Sequence, residues 1–440
     1  MNLRKLNLIT IIGLLLFLFA EIALLFFTPR SETGQLLVVY FGMFAAYLVL
    51  YHEIKNIQKV AFFGIFFRCI AWLAFPQLSD DIYRFIWDGS LILDGVNPYW
   101  LTPTEYFTEH LDQPFESLYP KLNSAGYFSV YPIIIQTISA FGALAGNDFY
   151  LAALIIKLPL LLAEIGTIWL LPKVLMGFKI SPKYSILYIL NPLIIVDVLA
   201  NAHFEALMIF FMLACLYSFQ NNRFKLSGIA LSLAVATKLI PLLFFPFLFK
   251  AVPPKFRIGY TLSFLVSTIV LFGPVLHPEN LEHFFKSLLL YSNHFEFNAS
   301  IYYLFRTIGF WITGYNEIAL IGPLLALLTI LIVIILWWKQ KRESISSALN
   351  SMLWALTFYL LLATTVHPWY ISTLILLAVF SRIQFPIVWS LVIFLSYNAY
   401  QEETPSTDFL YLLAEYTILA IAIFYPQTVR RLAVGTLREL

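Results

Sequence analysis

The stretch Leu8–Phe27, LITIIGLLLFLFAEIALLFF, is an apolar run interrupted only by Glu21. A helix needs about 20 residues to cross the hydrocarbon core of a bilayer, and this run has that length. It is longer than the core of a signal peptide and lacks a clear small-residue cleavage site. We therefore interpret it as a retained membrane span, and similar runs recur to the end of the chain.

The composition agrees with a chain that is dissolved in lipid. Of the 440 residues 60% are hydrophobic and 12% are charged, whereas soluble domains carry roughly 25% charged residues. Because lipid offers no partner for unpaired backbone groups, helices are the expected structure. The sequence predicts an all-α integral membrane protein with one transmembrane domain over residues 1–440. The net charge of +2, without a basic patch, gives no indication of nucleic-acid binding.

The positions of Lys and Arg predict the membrane topology (the threading of the chain through the bilayer), because short cytoplasmic loops are enriched in both. Arg4 and Lys5 precede the first span and place the N-terminus in the cytoplasm. About 12 to 14 spans, with both termini inside, keep the other loop cations cytoplasmic as well. These are Lys55, Lys59, Lys173, Lys179, Lys183, Arg223, Lys225, Lys250, Lys255, Arg257, Lys339, Lys341, Arg342, Arg382, Arg430, Arg431 and Arg438.

A further set of basic residues falls outside these loops and needs another explanation. It consists of Arg30, Arg68, Arg84, Lys121, Lys157, Lys238, Lys286 and Arg306. In the same threading the outward-facing segments are residues 77–128, 201–205, 277–316, 367–370 and 401–408. The first of them is a long periplasmic loop.

Two segments are too short for ordinary spans. LSGIALSLAVATKLIPLLFFPFLF, residues 226–249, lies between two cytoplasmic loops but has too few residues for the ~40 that two crossings require. A broken hairpin resolves this, with Pro241 ending the first arm and Lys238 near the apex. YFSVYPIIIQTISAFGALAG, residues 127–146, is predicted to be re-entrant or interfacial.

The stretch SDDIYRFIWDG, residues 79–89, predicts a helix in the first outer loop. Ser79 is a good N-cap, and acidic residues suit a first turn. Asn97-Pro98 stops the segment after Gly95. We expect an amphipathic helix from about Asp80 to Leu93, lying at the outer membrane surface. Asp81, Arg84 and Asp88 would share one stripe of it.

Two interpretations of the acidic residues are open. In the first, Asp80 and Asp81 complement the helix dipole and Arg84 pairs with Asp88. In the second, one of the two adjacent aspartates is a general base. A carboxylate beside apolar lipid and a second carboxylate has reason to be shifted toward useful basicity.

The ordered motifs SDDIYRFIWDG…GVNPY, LNPLIIVDVLANAHFEAL, ATKLIPLLFFPF and HFEFNASIYYLFR resemble those of the GT-C superfamily of polyprenyl-phosphate-sugar glycosyltransferases. Their order is similar to that in the mannosyltransferase of GPI-anchor assembly and in bacterial polyprenyl-phosphate-mannose-dependent enzymes. The resemblance covers roughly Gln77 to Tyr370. It implies inverting transfer of a sugar, with mannose as the best candidate, and a base in the first long outer loop, at Asp80 or Asp81.

The chain departs from that pattern in two respects. The GPI-assembly enzymes space their two aspartates one residue apart, whereas Asp80 and Asp81 are adjacent, so the resemblance does not say which is the base. An additional pair of spans also precedes the motif.

Several other residues are candidates for binding the donor. Lys238, Arg84 and Arg306 could meet its phosphate, the alternative being a snorkelling lysine and ordinary ion pairs. His203 and Glu205, with His294 and Asn298, could orient the sugar or hold a divalent cation, the alternative being plain hydrogen bonding. His367, Trp369 and Tyr370 could line the donor pocket, or the two aromatic residues could belong to an interfacial belt.

Two pairs of residues inside apolar helices have structural interpretations. Lys157 and Glu164 share one helix face within lipid and are expected to bind neighbouring helices. Cys69 and Cys215 are expected to be buried thiols rather than a disulfide.

The outer face lacks nucleotide sugars, and the chain has no Gly-rich phosphate loop, so a polyprenyl-phosphate-linked donor fits best. The acceptor would be a glycan, lipid or protein, and the location a bacterial inner membrane with the site facing the periplasm. A secondary transporter is the alternative from another class, since transporters also have broken helices and buried charges. This chain shows no internal repeat of the kind they use. A flippase or polymerase of lipid-linked sugars is a further alternative.

Overall fold

The computed structural model describes residues 6–381, 383–401 and 408–427, and the regular structure in these ranges is helical. The predicted all-α class is therefore confirmed. The predicted cytoplasmic residues Arg4, Lys5, Arg382, Arg430, Arg431 and Arg438 lie outside the described residues, as do residues 402–407 of the acidic loop.

In the first half of the chain, several short helices lie between longer apolar ones. They are α1 (Leu8–Phe27), α2 (Thr33–Glu53), α3 (Ile57–Leu73), α4 (Asp81–Leu93), α5 (Pro103–Phe107), α6 (Phe115–Leu118), α7 (Ile133–Ala143), α8 (Phe149–Gly177), α9 (Ile186–Ile189) and α10 (Glu205–Gln220). A π-helical segment, Ile194–Ala200, lies between α9 and α10.

The second half follows the same plan. Its helices are α11 (Phe224–Thr237), α12 (Phe245–Ala251), α13 (Pro254–Phe272), α14 (Pro278–Asn293), α15 (Ile301–Thr313), α16 (Ile318–Lys339), α17 (Ile345–Leu362), α18 (Ile371–Ser381), α19 (Phe385–Val392) and α20 (Phe409–Phe424). In the bundle α11 packs between α10 and α13, and α8 packs against α3 and α10.

Six helices in the described ranges are long and apolar enough to cross a membrane, and they identify an integral membrane protein. They are α1, α2, α8, α13 with its following turn, α16 and α17. A bent pair of helical segments, Pro182–Ile189 and Ile194–Ala200, meets at 60° and makes a seventh if it counts as one span. The threading with about 12 to 14 spans needs the shorter apolar helices as well and stays a prediction.

The predicted broken hairpin has its break just before Pro241. Helix α11 ends at Thr237, Lys238 is extended, and a 3-10 turn over Ile240–Phe244 leads into α12. Pro241 therefore begins the return arm instead of ending the first one, as expected for a residue that lacks a backbone N–H. Helix α7 is only about 16 Å long, too short for the ~30 Å hydrocarbon core, as the prediction of a re-entrant or interfacial segment requires.

Helix α4 lies within one residue of its predicted bounds, but its surroundings differ from the prediction. Asp80, not Ser79, is the N-cap residue, although Ser79 Oγ accepts a 3.3 Å hydrogen bond from the backbone N–H of Asp81. The helix is buried within the protein from Arg84 to Leu91, whereas the sequence predicted only its place at the membrane surface. The loop between α4 and α7 folds over it, and the ring of Trp87 packs against Phe115 with centroids 4.8 Å apart.

Each basic residue that the threading left unexplained has a partner. Arg30, Arg68, Arg84, Lys238 and Arg306 form ion pairs, Lys157 binds carbonyl oxygens, and Lys121 and Lys286 lie over aromatic rings. Burying a charge without a partner costs several kcal/mol, so this pairing is what permits cations inside an apolar bundle.

The prediction that Lys157 and Glu164 bind neighbouring helices is confirmed. Glu164 accepts hydrogen bonds from Arg68 Nε at 2.7 Å and from the Tyr188 hydroxyl at 2.6 Å. The Lys157 ammonium donates to the carbonyl oxygens of Ala71, Ala74 and Ala200. It thereby joins the carboxyl ends of α3 and of the π-helical segment, where a cation is favoured by the helix dipole.

The two cysteines are both free. Cys215 is buried, with its Sγ 3.2 Å from Ser227 Oγ. Cys69 is exposed, so the prediction of burial is wrong for this residue. Its neighbour Arg68 occupies the inner face of α3, and a helix turns by about 100° per residue.

Helices α4 and α7 approach each other most closely at Gly89. A Cβ atom added at Gly89 would lie 2.1 Å from the carbonyl oxygen of Ser139 and 2.9 Å from the backbone nitrogen of Ala140. Backbone atoms cannot rotate away as a side chain can, so this contact admits only glycine.

We expect Gly89→Ala to lower the free energy of unfolding by about 1–3 kcal/mol, because α4 and α7 must separate. The measurement is the thermal unfolding midpoint of the protein in detergent. Gly42→Ala in α2 is the matched control, since a Cβ atom there meets nothing within 4 Å. Equal midpoints for the two variants would contradict the proposed contact.

Candidate functional site

Two loops that carry sequence motifs, one before α4 and one before α10, are tied together through Asn201. Its side-chain Oδ1 accepts hydrogen bonds from the backbone N–H groups of Gln77 at 3.1 Å and Leu78 at 2.9 Å. Its Nδ2 donates to the carbonyl of Val196 at 2.8 Å. The start of α4 and the Asn201 turn are therefore held in one fixed arrangement.

Asp80 is paired with an arginine from the turn between α1 and α2. Arg30 Nη2 donates to Asp80 Oδ2 at 2.5 Å, with 29% and 34% of the two side chains exposed. The Arg30 guanidinium also lies 4.9 Å from the ring centre of Tyr400. The charge of Asp80 is thus matched within the protein.

Asp81 has a weaker set of partners. Its Oδ1 accepts a 3.3 Å hydrogen bond from Asn123 Nδ2, and it forms no ion pair within the described ranges. Burial raises the pKa of Asp81 above its ordinary value, while the Asn123 amide and the nearby Lys238 ammonium oppose that rise. A carboxylate with this pKa accepts a proton more readily than an ordinary aspartate does.

Lys238, at the break before the return arm, lies close enough to Asp81 for its charge to act on that carboxylate. Its Nζ donates to Glu205 Oε1 at 2.5 Å, and 21% of its side chain stays exposed while Glu205 is fully buried. The ammonium also lies 5.9 Å from the ring centre of Tyr370. A lysine in this position can bind an anion through its remaining N–H groups.

Four rings are stacked beside Lys238. Trp369 lies between His203, with ring centroids 3.6 Å apart, and His367, at 4.4 Å, and Phe297 packs on the other side of His367 at 4.8 Å. Histidine and aromatic side chains thus converge beside Lys238, whose charge acts on Asp81.

Both histidines of this stack are neutral. Burial lowers the pKa of His203 well below its ordinary value and that of His367 to about 3, and the Lys238 ammonium acts in the same direction. His203 Nε2 and His367 Nδ1 are buried and have no hydrogen-bond partner within the described residues. Buried polar atoms are normally paired, so these two nitrogens are available to a ligand.

The segment before α15 reaches the stack through backbone hydrogen bonds. The N–H of Phe297 donates to the carbonyl of Thr364 at 3.1 Å, and the N–H of Val366 donates to the carbonyl of Phe297 at 2.8 Å. These hydrogen bonds bring Phe297 to the site, but its neighbours His294 and Asn298 are not part of the stack. His294 is exposed, and Asn298 is buried with its Nδ2 3.2 Å from Glu415 Oε1.

Arg306 also makes its contacts outside this cluster. Its Nη1 pairs with Glu296 Oε2 at 3.1 Å, and 37% of the side chain is exposed. Glu296 accepts further hydrogen bonds from Tyr302 and Asn316. The structure thus places Arg306 in this second group of polar residues.

Arg84 and Asp88 form a buried pair that fastens the loop between α4 and α7 to α4. Arg84 Nε donates to Asp88 Oδ1 at 2.8 Å, and its Nη1 donates to the carbonyls of Ser124 at 2.9 Å and Tyr127 at 3.0 Å. Asp88 Oδ2 accepts from the Ser129 hydroxyl at 2.5 Å. The predicted Arg84 to Asp88 pair is present, and it also sets the position of Asn123.

Among the described residues, no three His, Cys, Asp or Glu side chains come together as a metal-binding group. The two pairs considered for a divalent cation have other partners: Glu205 binds Lys238, and Asn298 binds Glu415.

Sequence reasoning assigned no role to Arg30, Asn123 or Asn201. Arg30 carried one signal, since it is a cation outside the predicted cytoplasmic loops. Asn123 and Asn201 gave none, because a single asparagine in a loop is common and its partner lies far away along the chain.

Two comparisons with known proteins indicate the same class of enzyme. Residues 18–253, just over half of the chain, match the family model described as alpha-(1->6)-mannopyranosyltransferase, N-terminal domain. The chain is similar to alpha-(1->6)-mannopyranosyltransferase A of Mycobacterium tuberculosis, with 24% identity over 185 residues. That match covers 41% of this chain and 35% of the relative, so it spans about a third of the relative's length. No solved structure matches the chain.

We expect Arg84→Gln to lower the free energy of unfolding by about 3–5 kcal/mol, because it leaves the buried carboxylate of Asp88 unpaired. Limited proteolysis should then cut the loop between α4 and α7 sooner, and the thermal midpoint should fall. Arg306→Gln is the control, since removing an exposed pair costs about 0–1 kcal/mol. If both variants resist protease as the wild type does, Arg84 does not fasten the loop.

Proposed function

The chain belongs to the alpha-(1->6)-mannopyranosyltransferase family, and on this premise we propose that it transfers a hexose, mannose in the first place, from a polyprenyl-phosphate carrier to an acceptor hydroxyl. The acceptor is a glycan, lipid or protein, and the transfer inverts the anomeric carbon. The observation that carries the proposal is the convergence of Asp81, which has no ion-pair partner among the described residues, with Lys238 and two unpaired neutral histidines.

A lipid-linked donor suits the surroundings of this group. The site lies at the ends of apolar helices, where the phosphate of a membrane-bound carrier arrives with its polyprenyl chain in lipid. We place these helix ends on the periplasmic face of a bacterial inner membrane, with about 12 to 14 spans, as the distribution of Lys and Arg suggests. Nucleotide sugars are not available on that face.

In the proposed reaction Asp81 is the general base. It removes the proton from the acceptor hydroxyl while the hydroxyl oxygen attacks the anomeric carbon. The bond between that carbon and the phosphate oxygen breaks, and the bonding electrons leave with the polyprenyl phosphate. Lys238 stabilises the negative charge of the leaving phosphate, because its ammonium is partly exposed and still has N–H groups to donate.

Asp81 is preferred to Asp80 as the base because of its partners. Asp80 is bound by the Arg30 guanidinium at 2.5 Å, so its carboxylate is already engaged within the protein. Asp81 accepts only a long hydrogen bond from Asn123, and its burial raises its pKa. We assign Asp80 the task of holding Arg30 beside the donor.

The stacked rings supply the proposed sugar pocket. His203 Nε2 and His367 Nδ1 are available for sugar hydroxyls, while Trp369 fixes the planes of both rings. Tyr370 lies edge-on to His367, with ring centroids 5.5 Å apart, and closes one side. Glu205 keeps Lys238 in place and does not itself contact the reacting atoms.

The remaining candidates receive supporting roles. Arg84 and Asp88 position the loop that carries Asn123, and this use of Arg84 replaces the proposal that it binds the phosphate. Asn298 anchors the segment that carries Phe297 through Glu415. His294 and Arg306 lie on the same outer segment, where a bound acceptor would pass.

The first test compares Asp81→Asn with Asp80→Asn in vesicles that contain a polyprenyl-phosphate hexose and a mannose oligosaccharide. Loss of a general base lowers the rate of transfer by about 10² to 10⁴-fold, and we expect a loss of this size for Asp81→Asn. Asp80→Asn should retain clearly more activity, because it removes only the partner of Arg30. Undiminished transfer in both variants would exclude an aspartate base, and solute uptake without transfer would favour a transporter.

The second test is the dependence of transfer on pH. A base must be ionised, so activity should rise with pH through the pKa of Asp81, above the value of about 4 for an ordinary aspartate. Asn123→Ala and Lys238→Met each remove a group that stabilises the carboxylate. Both should raise this pKa and move the acid limb of the profile to higher pH.

Lys255→Met serves as the control for the pH profile. The Lys255 ammonium lies over the ring of Phe256, and its removal should leave the acid limb unchanged. An acid limb that stays in place in Asn123→Ala and Lys238→Met would show that it does not report Asp81.

A further inference from the structure

A separate cavity of about 430 Å³ opens between the first outer loop and α14. Its volume lies within the roughly 300–1,000 Å³ typical of pockets for small ligands. The residues that matter for its chemistry are Glu105, Gly126, Tyr127, Phe128, Lys286 and Ser287.

The aromatic wall of this cavity is held firmly. The ring of Phe128 stacks on His283 with centroids 3.9 Å apart and planes 5° apart. His283 Nδ1 in turn donates to the carbonyl of Tyr99 at 2.8 Å. Tyr127 packs edge-on against Phe295 at 5.3 Å. The wall is thus formed before any ligand arrives.

A buried hydroxyl on the cavity lining has no partner. Ser287 is 2% exposed, and within the described residues its Oγ makes no hydrogen bond. A serine on a helix commonly bonds to the preceding turn, and an unpaired buried hydroxyl costs about 1–3 kcal/mol. The cavity therefore keeps a hydrogen-bonding group available for a ligand.

The charged groups of the cavity are of both signs. Glu105 Oε2 accepts hydrogen bonds from the backbone N–H and the hydroxyl of Thr102, each at 2.8 Å, and these lower the pKa of Glu105 so that it stays ionised. Lys286 lies opposite, 5.5 Å from the ring centre of Phe128. One carboxylate, one ammonium and an apolar wall suit a neutral ligand rich in hydroxyl groups better than an anion or a cation.

One short segment, residues 123–128, contacts Asp81 and also lines the cavity. Asn123 donates to Asp81, and the carbonyls of Ser124 and Tyr127 accept from Arg84. Gly126, Tyr127 and Phe128 of the same segment line the cavity. A chain of sugar units that occupied the cavity could therefore extend past Asn123 toward the base.

We propose that this cavity is an acceptor subsite that binds a sugar unit of a glycan acceptor while the terminal hydroxyl reaches Asp81. The proposal rests on the transfer reaction proposed above. It selects a glycan among the three classes of acceptor, because the cavity offers hydroxyl and charged groups with a rigid aromatic wall.

Gly126 gives a way to fill the cavity without disturbing the fold. A Cβ atom at Gly126 meets nothing within 4 Å, and its φ is not in the left-handed region. The Gly126→Leu side chain would therefore occupy the space proposed for the sugar. Gly273→Leu is the matched control, since Gly273 is equally unobstructed but lies in the turn after α13.

The experiment measures binding of α-1,6-linked mannotetraose to the full-length protein in nanodiscs by ligand-observed NMR. We expect Gly126→Leu to weaken binding at least tenfold, Ser287→Ala to weaken it by roughly threefold, and Gly273→Leu to bind as the wild type does. The transfer assay is run on the same samples.

The outcomes separate this proposal from the proposed function. Equal binding by wild type and Gly126→Leu, or no binding by the wild type, would overturn the acceptor subsite even if transfer to another acceptor is observed. If the wild type binds the oligosaccharide and Gly126→Leu does not, the subsite stands. A wild type that then transfers no hexose would contradict the proposed function alone.

Discussion

The buried ammonium of Lys157 joins the carboxyl ends of α3 and of the π-helical segment, and both loops of the site begin at that junction. A buried charge has to be satisfied by polar partners, and here three backbone carbonyls do so. Asn201 then fixes the first residues beyond the junction. The aspartates of α4 and the residues after Asn201 meet because their supporting helix ends are bound to one cation.

The two adjacent aspartates have identical side chains but different partners. They are neighbours in sequence, yet Arg30 neutralises Asp80, while Asp81 turns toward Asn123 and Lys238. Successive residues at a helix start point about 100° apart, which is enough to give one a guanidinium and the other an amide. The chemistry proposed for Asp81 depends on this division.

Patterns within a few residues were sufficient to predict the helical class, the position of α4, and the break near Lys238. They also predicted the Arg84 to Asp88 pair, since residues four apart on a helix lie side by side. They did not predict the burial of α4, because the covering loop is held by contacts such as that between Arg84 and the carbonyl of Tyr127, which depend on tertiary folding. For the same reason the pairing of Arg30 with Asp80 could not be read from the sequence.

The stack of His203, Trp369, His367 and Phe297 takes its first ring from the part of the chain that matches the family model and the other three from the part beyond it. Neither part contains a complete pocket. Exchange of His203 or of the other three rings with a relative would therefore pair rings that had not changed together. Inheritance of the two parts as a unit is the expected evolutionary pattern.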